Sequence, residues 1–310
     1  MSKVVFMGTP DFSVPALQTL IETQEVVGVV TQPDRPAGRG KKLRPSPVKV
    51  VAQEAGIPVY QPKSLKKEDA AAPLREWQPD VIVVAAFGQI LRPHVLDLPS
   101  HGCLNVHASL LPRWRGASPI QHTLLAGDDE TGVCLMQMDV GLDTGPVFVC
   151  QSTPITLPET AVTLHDRLAK MGADLLRHHL DNILSGQLSA TPQNDDLSTY
   201  APMISKKDGR INWHKTNVDL DRQIRAMTPW PGAFTTWQGV TLKILEAVLF
   251  DDRVPPGQPG QVINIAGKTV VRTANGGLQL QQVQLADKRA MSLADFLRGQ
   301  PQFIGTKLGD

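Results

Sequence analysis

The chain has 310 residues, of which 41% are hydrophobic and 20% are charged, and its formal net charge is +1. This length favours two domains, and the lack of any run of about 18 apolar residues argues against a membrane-spanning helix. The three cysteines are scattered without a Cys-x-x-Cys pair, which predicts reduced thiols in a cytoplasmic protein, not a disulfide framework or a zinc site. Because a predicted strand begins at Lys3, we expect no signal peptide.

The first 188 residues alternate between predicted strands and predicted helices. Strands are predicted at Lys3–Gly8, Glu25–Thr31, Pro58–Tyr60, Asp80–Ala86, Gly102–His107, Gly132–Met138 and Pro146–Ile155, and helices at Phe12–Thr23, Ser46–Ala55, Ser64–Trp77, Ser118–Ala126 and Thr160–Leu184. The signal over Asp80–Ala86 is the clearest, because it is apolar, β-branched and uninterrupted. This alternation predicts an α/β domain over residues 1–188, with a Rossmann-like, doubly wound, mostly parallel sheet.

The character of the chain changes near residue 189. Residues 189–206 are polar and contain Pro192 and Pro202, so we predict a linker there. Over residues 207–310, short strands with Gly and Pro turns predict a small β-barrel of OB-like type. Strands are predicted at Ala233–Trp237, Leu242–Phe250, Gly260–Ile265, Thr269–Arg272 and Gly277–Gln284, and helices at Val218–Ala226 and Ser292–Arg298. This C-terminal part carries 13 Lys and Arg against 9 Asp and Glu, a mild excess that would suit a polyanion.

The stretch from Gly102 to Gly116 carries most of the candidate chemistry. Asn105 and His107 lie two residues apart on a predicted strand, so their side chains point to the same face. The strand runs into the loop Ser109-Leu110-Leu111-Pro112, for which we predict a cis peptide bond before Pro112, because a tight turn follows a strand. In an open α/β sheet, ligands bind at the carboxyl ends of strands, where this loop would lie.

A second stretch, Met138–Gly145, places Asp139 and Asp143 on a turn that contains glycine. Asp139 could be a turn acceptor only. Ser109, beside His107, raises the alternative of a serine hydrolase, but it lacks the Gly-x-Ser-x-Gly elbow of that class. Cys103 is better explained as a small buried apolar residue than as a reactive thiol.

A dinucleotide-binding site is not supported by the first strand-to-helix turn. That turn reads Gly8-Thr9-Pro10-Asp11-Phe12-Ser13, with proline and serine where the second and third glycines of the fingerprint would be. A pyrophosphate needs those glycines to approach the backbone, so we do not expect NAD or FAD.

Taken together, these motifs resemble the signature of the folate-dependent formyltransferases. The resemblance is carried by Asn105-Val106-His107, Ser109-Leu110-Leu111-Pro112, Arg115-Gly116 and Asp143-Thr144-Gly145. Four further stretches resemble the members of this family that act on methionyl-tRNA: Gly8–Phe12, Thr31–Lys42, Met136–Asp143 and Thr228–Gly232. The likeness extends over nearly the whole chain, with no departure at the catalytic positions.

The resemblance implies transfer of a formyl group from 10-formyltetrahydrofolate to the amino group of methionine on initiator tRNA. Asn105 would donate to the formyl oxygen as negative charge develops there. His107 would donate as well or take the amine proton, since imidazole titrates near neutral pH. Asp143 would orient His107 and stabilise the ammonium. The implied reaction requires neither a metal nor a covalent intermediate, because the formyl group can be transferred directly. The resemblance leaves open whether His107 or Asp143 removes the proton.

We expect the folate to lie along two loops and the acidic turn. The residues expected to bind it are Phe87, Gly88, Gln89, Ile90, Ser109, Leu110, Leu111, Pro112 and Asp139. Gly88 would allow close approach to the backbone. Phe87 could instead belong only to the core, because it follows the strongest predicted strand.

A basic loop is the clearest nucleic-acid signal. Within Arg35–Arg44, the residues expected to bind tRNA are Arg35, Arg39, Lys41, Lys42 and Arg44, and the loop holds no acidic residue. A run of charge is commonly only a solvated surface. Here, however, it follows a predicted strand at the rim of the site, where cations would bind acceptor-stem phosphates. Lys206 and Lys207 are weaker candidates for the same surface.

Two alternatives to this function remain at the level of sequence. A formyltransferase could act on a small amine, such as glycinamide ribonucleotide or an amino sugar, but such an acceptor needs neither the basic loop nor a second domain. A non-enzymatic RNA-binding protein would use the barrel, which lacks an aromatic stacking row and leaves Asn105, His107 and Asp143 unexplained. We expect a monomer, because a large tRNA ligand needs free surface.

Overall fold

The computed structural model describes residues 1–37, 42–250 and 252–309. The chain divides into two compact units. Unit 1 comprises Met1–Pro119, Glu130–Pro154 and His165–Pro202, and unit 2 comprises Ile120–Asp129, Ile155–Leu164 and Met203–Asp310. No helix among the described residues is long and apolar enough to cross a membrane.

The elements before residue 203 alternate much as predicted. The strands are β1 Lys3–Gly8, β2 Glu25–Val30, β3 Arg35–Ala37, β4 Lys42–Arg44, β5 Val59–Tyr60, β6 Val81–Ala85, β7 Cys103–His107, β8 Arg115–Gly116, β9 Glu130–Gln137, β10 Val147–Pro154 and β11 Tyr200–Ala201. The helices are α1 Val14–Thr23, α2 Pro47–Glu54, α3 Ala72–Trp77, α4 Pro93–Leu96, α5 Pro119–Ala126 and α6 Ala161–Leu184.

A seven-stranded sheet forms the centre of unit 1, in the order β10-β9-β7-β6-β1-β2-β5. The five strands from β7 to β5 run parallel to one another. Strands β9 and β10 join antiparallel at one edge. The predicted doubly wound, mostly parallel sheet is therefore confirmed. Its central strands β6 and β7 are buried along their whole length, and the apolar, β-branched sequence of β6 fits this burial.

Two predicted elements differ from the structure. The helix predicted over Ser64–Trp77 begins only at Ala72, after a 3-10 turn at Glu68–Ala71. Pro73 is the reason, since proline fits the first turn of a helix but would clash with a preceding turn. The basic stretch Arg35–Arg44, predicted as a loop, contains the antiparallel pair of β3 and β4.

The expectation of three reduced thiols is wrong for two of them. Cys134 and Cys150 lie directly opposite each other on β9 and β10 and form a disulfide. Their separation of 16 residues gave no sign of this, because only the antiparallel register brings them together. Cys103 is the free cysteine of the described residues, and it is buried as predicted. Burial raises the pKa of its thiol to about 12.

The C-terminal part of unit 2 is built on an antiparallel sheet. The strands are β12 Ala233–Trp237, β13 Val240–Phe250, β14 Val262–Ile265, β15 Lys268–Arg272, β16 Gly277–Leu285 and β17 Met291–Ser292, and the helices are α7 Asn217–Met227 and α8 Leu293–Gly299. The strands pair in the order β12-β13-β16-β15-β14, with β17 beside β16. The turn at Asn275-Gly276 joins β15 to β16.

The barrel predicted for this part is not closed by strand pairing among the described residues. The two edge strands are instead linked by the end of the chain, where the Val262 N–H donates to the Thr306 carbonyl and the Gly309 N–H donates to the Thr236 carbonyl. The rings of Trp237, Phe296 and Phe303 pack edge to face, with centroids 5.1 to 5.5 Å apart. These interactions give the sheet a compact apolar face.

Most of the segment predicted as a linker packs with unit 1. Residues up to Pro202 belong to that unit. Strand β11 pairs in parallel with β8, and Thr191 exchanges two backbone hydrogen bonds with Val147, at 2.8 and 2.9 Å. These hydrogen bonds attach part of the polar segment to unit 1.

Candidate active site

The polar residues of β7 lie at the carboxyl edge of the parallel sheet. In β7 the side chains alternate, and Asn105 pairs in register with Val84 on β6 and Met136 on β9. Val106 points to the other face, where a side chain on Gly172 of α6 would collide with it. Packing of the apolar residues thus fixes the direction of the polar ones.

Asn105, His107 and Asp143 converge at this edge. Asn105 Nδ2 lies 3.5 Å from Asp143 Oδ1, and His107 Nδ1 lies 3.7 Å from Asp143 Oδ2. The Asn105 and His107 residues are 9% and 5% exposed, and the Asp143 side chain is 14% exposed. An amide, an imidazole and a carboxylate therefore share one largely buried corner, where electrostatic interactions are weakly screened.

His107 is oriented by the backbone of the following loop. Its Nε2 lies 3.0 Å from the carbonyl oxygen of Trp114. Because a carbonyl only accepts, Nε2 carries the hydrogen, and Nδ1 is the nitrogen that faces Asp143. Trp114 has φ +63°, and its N–H donates to Thr199 Oγ1 at 2.9 Å. Part of the predicted linker thus supports the residue that orients the imidazole.

Ser109 and the bond before Pro112 shape the loop after β7. The Ser109 residue is fully buried, and its hydroxyl donates to the Arg113 carbonyl at 2.6 Å. Because the hydroxyl hydrogen is donated to this carbonyl and not to a base, the arrangement does not suit a nucleophilic serine. The predicted cis peptide bond between Leu111 and Pro112 is present. The Leu111 N–H also lies 3.4 Å from Cys134 Sγ.

The acidic turn is held from within by Asp139. Its Oδ1 accepts hydrogen bonds from the Gly141 N–H at 2.9 Å and from Thr144 Oγ1 at 2.7 Å, as in the turn-acceptor alternative. Asp143 Oδ2 accepts from the Gly116 N–H at 2.8 Å. The structure thereby assigns different surroundings to the two carboxylates: Asp139 bonds within its turn, and Asp143 faces the site.

Sequence reasoning missed Gln193, which contacts the same turn. Its Nε2 donates to the carbonyl oxygens of Asp143 and Gly145 at 2.9 and 2.7 Å. Its Oε1 accepts from Arg115 Nε and Nη2 at 3.1 and 2.9 Å. No local pattern marks Gln193, because it lies in a polar stretch 50 residues from Asp143.

The stretch expected to bind the folate leaves the sheet beside the site, since β6 and β7 are parallel neighbours. Gly88 has φ +81°, and a Cβ there would meet only the Gln32 side-chain amide, at an ordinary contact distance of 3.8 Å. Ile90 is 67% exposed. Phe87 is 2% exposed and belongs to the hydrophobic core, as in the alternative considered for it. Gln89 bonds to Leu65 and Pro62 through its side chain.

Strand β2 ends at the same edge and leads into the basic hairpin of β3 and β4. Arg35 and Arg44 are exposed and face each other in register, while Arg39 and Lys41 lie outside the described residues. Asp34 is bound by Lys49 and Gln61, each at 2.7 Å, and these hydrogen bonds lower its pKa. Lys206 and Lys207 are exposed in unit 2, on a 3-10 turn capped by Ser205 and Asp208.

No cluster of His, Cys, Asp or Glu suited to a metal ion occurs within residues 1–37, 42–250 and 252–309. The polar groups that do converge are donors and acceptors of hydrogen bonds. Their arrangement can stabilise a developing oxyanion and move a proton.

Two family models match this chain. A model described as formyl transferase matches residues 2–180, and a model described as formyl transferase, C-terminal domain, matches residues 203–301. The methionyl-tRNA formyltransferase of Geobacter sulfurreducens is 45% identical over 310 residues, which cover 99% of this chain and 97% of that protein. The methionyl-tRNA formyltransferase of Hydrogenovibrio crunogenus is 49% identical over 309 residues, with 99% and 98% covered.

Solved structures share the fold at lower identity. The N-formyltransferase of Helicobacter canadensis, in complex with folinic acid and dTDP-3-aminofucose, is 21% identical with a TM-score of 0.67, and the match covers 93% of this chain and all of that one. HypX of Aquifex aeolicus, in complex with tetrahydrofolic acid, is 16% identical with a TM-score of 0.62, covering 96% of this chain and 47% of that one. The chain belongs to the formyl transferase family, among the methionyl-tRNA formyltransferases.

Proposed function

We propose that this protein transfers the formyl group of 10-formyltetrahydrofolate to the amino group of methionine on initiator tRNA, which yields N-formylmethionyl-tRNA for translation initiation. The observation that carries the proposal is the convergence of Asn105, His107 and Asp143 at the carboxyl edge of the sheet. The proposal is supported by methionyl-tRNA formyltransferases of other bacteria, which match this chain over nearly its whole length.

Asn105 is the donor proposed for the formyl oxygen. As the amine lone pair forms a bond to the formyl carbon, the carbonyl electron pair moves onto oxygen. An amide has two N–H donors, and the 3.5 Å contact with Asp143 engages only one of them. The second can stabilise the oxyanion, a contribution typically worth about 2.7 to 4 kcal/mol in related sites.

His107 Nδ1 is the base that the hydrogen bonds favour for the amine proton. Nε2 is engaged by the Trp114 carbonyl, and Asp143 Oδ2 already accepts the Gly116 N–H. Asp143 then faces the imidazolium at Nδ1 and stabilises its charge. When the bond between the formyl carbon and N10 breaks, the proton held at Nδ1 can pass to the departing nitrogen, so that the base is regenerated.

The folate is proposed to lie across the loops that follow β6 and β7. Gly88 leaves its backbone approachable, Ile90 offers an exposed apolar side chain, and Leu110, Leu111 and Pro112 are partly buried. Because the Phe87 ring is in the core and the Ser109 hydroxyl is bonded to Arg113, any contribution from these two would come through the backbone. Gln89 and Asp139 would likewise shape the pocket through the loops they hold.

The tRNA is proposed to contact the basic hairpin and the C-terminal part. Arg35 and Arg44 are exposed at the edge of the sheet that carries the site, and Arg39, Lys41 and Lys42 add to the charge of this stretch. Lys206 and Lys207, in unit 2, would bind tRNA phosphates as well. In this division, residues 1–188 carry the chemistry, residues 189–206 join the two parts while packing with unit 1 up to Pro202, and residues 207–310 bind tRNA. We further propose a cytoplasmic monomer, which leaves surface free for so large a ligand.

One assay tests the function. Radiolabelled formyl transfer from 10-formyltetrahydrofolate is measured with methionyl-tRNA, with uncharged tRNA as control and with glycinamide ribonucleotide and an amino sugar nucleotide as competing acceptors. We expect label on methionyl-tRNA alone. Label on a small amine but not on methionyl-tRNA would reject the proposed acceptor, and no transfer to any acceptor would reject the reaction.

A further inference from the structure

The segment around Gln193 forms a brace against the turn that carries Asp143. At one end, Thr191 exchanges backbone hydrogen bonds with Val147 at the start of β10. At the other, Asp195 Oδ1 lies 2.7 Å from Arg115 Nη2. Both ends are therefore fixed to unit 1, and Gln193 lies between them.

Gln193 uses its whole amide in this position. Its two N–H groups reach two carbonyl oxygens of the turn, on either side of Thr144. Its oxygen is held by two nitrogens of the Arg115 guanidinium. Arg115 is 9% exposed, so its planar fork is packed in place and keeps Gln193 from rotating.

The backbone of Asp143 requires such support. Its φ of +56° lies in the left-handed region, which a residue with a Cβ seldom adopts. Strained conformations of this kind persist at functional sites only where the surroundings over-determine them. The turn is tightly confined next to it, since a side chain on Gly145 would collide with the Gln137 carbonyl.

We propose that Gln193, held by Arg115, is a positioning residue that sets where the Asp143 carboxylate meets His107. The inference rests on the proposed function, because it concerns a step of that reaction. Gln193 touches no reacting atom. It acts through the Asp143 backbone, and a small displacement there changes the 3.7 Å approach of Asp143 Oδ2 to His107 Nδ1.

The discriminating substitution is Gln193→Glu. A carboxylate retains both acceptor bonds from Arg115, but it has no hydrogen to donate and faces the two carbonyl oxygens of the turn. Gln187→Glu is the matched control, since it makes the same change in charge at an exposed position six residues earlier in the sequence. Gln193→Met, which also lacks the donor but adds no charge, replaces the first variant if that variant fails to fold.

The measurements are kcat, the KM for each substrate, and the dependence of kcat on pH. We expect Q193E to lower kcat roughly 100-fold, as misplacement by about 1 Å can do, with both KM values within about twofold of wild type. We also expect the pH profile of kcat to change shape in Q193E and not in Q187E. A brace that serves only stability would lower the midpoint of thermal unfolding and leave kcat and its pH profile at the values of Q187E, which would overturn the proposal.

Arg115 supplies an independent check. If it acts through Gln193, Arg115→Met combined with Q193E should lower kcat no further than the more severe single variant. If the kcat losses of the two single variants multiply in the double variant, Arg115 does not act through Gln193, and that part of the proposal is overturned. A wild-type protein without formyl transfer would instead reject the proposed function, and with it the reaction that Gln193 serves.

Discussion

The imidazole of His107 donates through Nε2 to the carbonyl oxygen of Trp114 at 3.0 Å, so that Nδ1 faces the Asp143 carboxylate. This relationship separates two roles of the ring. One nitrogen bonds to the backbone, and the other is the proposed acceptor of the amine proton. Substitutions that preserve one nitrogen and remove the other can therefore distinguish structure from chemistry.

We predict that His107→Gln keeps the fold and loses the reaction. The glutamine Nε2 can replace the donor to Trp114, but nothing replaces the basic Nδ1. The loss of a general base should lower kcat by roughly 10²- to 10⁴-fold. Thermal unfolding should be nearly unchanged in this variant, whereas His107→Asn, which is too short to reach Trp114, should be less stable. Wild-type kcat in H107Q would contradict the assignment of Nδ1.

We predict that Asn105→Ala lowers kcat by roughly 10²- to 10³-fold, because it removes a donor to the developing oxyanion. The KM for methionyl-tRNA should change little, since the interaction strengthens only as charge develops. Steady-state kinetics at saturating folate donor measures both. Asn182→Ala, on an exposed position of α6, is the control. A raised KM with unchanged kcat would instead make Asn105 a ground-state binding residue.

We predict that replacing Arg39 and Lys41 with alanine weakens affinity for methionyl-tRNA and flattens its dependence on salt. For every tRNA phosphate that the variant no longer neutralises, the slope of log affinity against log salt should fall by about one. Filter binding over a range of salt concentrations checks this. The control replaces two exposed lysines with alanine. They are Lys3, at the start of β1 and so away from the carboxyl edge of the sheet, and Lys170 on α6. Equal slopes in the two double variants would reject tRNA binding by the basic hairpin.

We predict that Phe303→Ala destabilises the C-terminal sheet by about 3 to 5 kcal/mol, the usual range for deleting a buried ring. Phe303 is fully buried and packs against Trp237 and Phe296. Denaturant unfolding followed by tryptophan fluorescence measures the decrease in stability. Phe303→Leu should cost less, because it leaves a smaller cavity. An unchanged free energy of unfolding would mean that the ring cluster does not support this sheet.

We predict that the native protein resists alkylation at neutral pH. Cys103 is buried with its pKa raised to about 12, so almost none of it is thiolate below pH 9. Cys134 and Cys150 are joined as a disulfide. Mass spectrometry should find no adduct on the folded protein, one after unfolding without reductant, and three after unfolding with it. Three adducts without reductant would contradict the disulfide.

Much of the sheet and part of the site could be read from local patterns. The apolar β-branched run that became β6 predicts a buried parallel strand, because only a strand covered on both faces accepts such residues. The alternation of β7 placed Asn105 and His107 on one face for a different reason, because side chains along a strand alternate with a period of two residues. The helix that ends at Trp77 begins later than predicted, because Pro73 fits only the first turn of a helix.

Interactions between segments that are far apart in the sequence could not be predicted from local patterns. Hydrogen bonds from Gln193 to the Asp143 turn, and the pairing of Cys134 with Cys150, depend on strand order and register. A polar stretch that packs on a surface and one that does not can have the same composition, so the composition of residues 189–202 could not show that they pack with unit 1.

By itself, the sequence determined which side chains are candidates for the proposed chemistry, since amide, imidazole and carboxylate have the same capacities in any fold. It also determined the local periods that form strands and helices. Only the tertiary structure decided which nitrogen of His107 faces Asp143 and which side chain bonds to the turn that carries Asp143. Those outcomes follow from distances between atoms far apart in the chain, and such distances are set when the whole sheet packs.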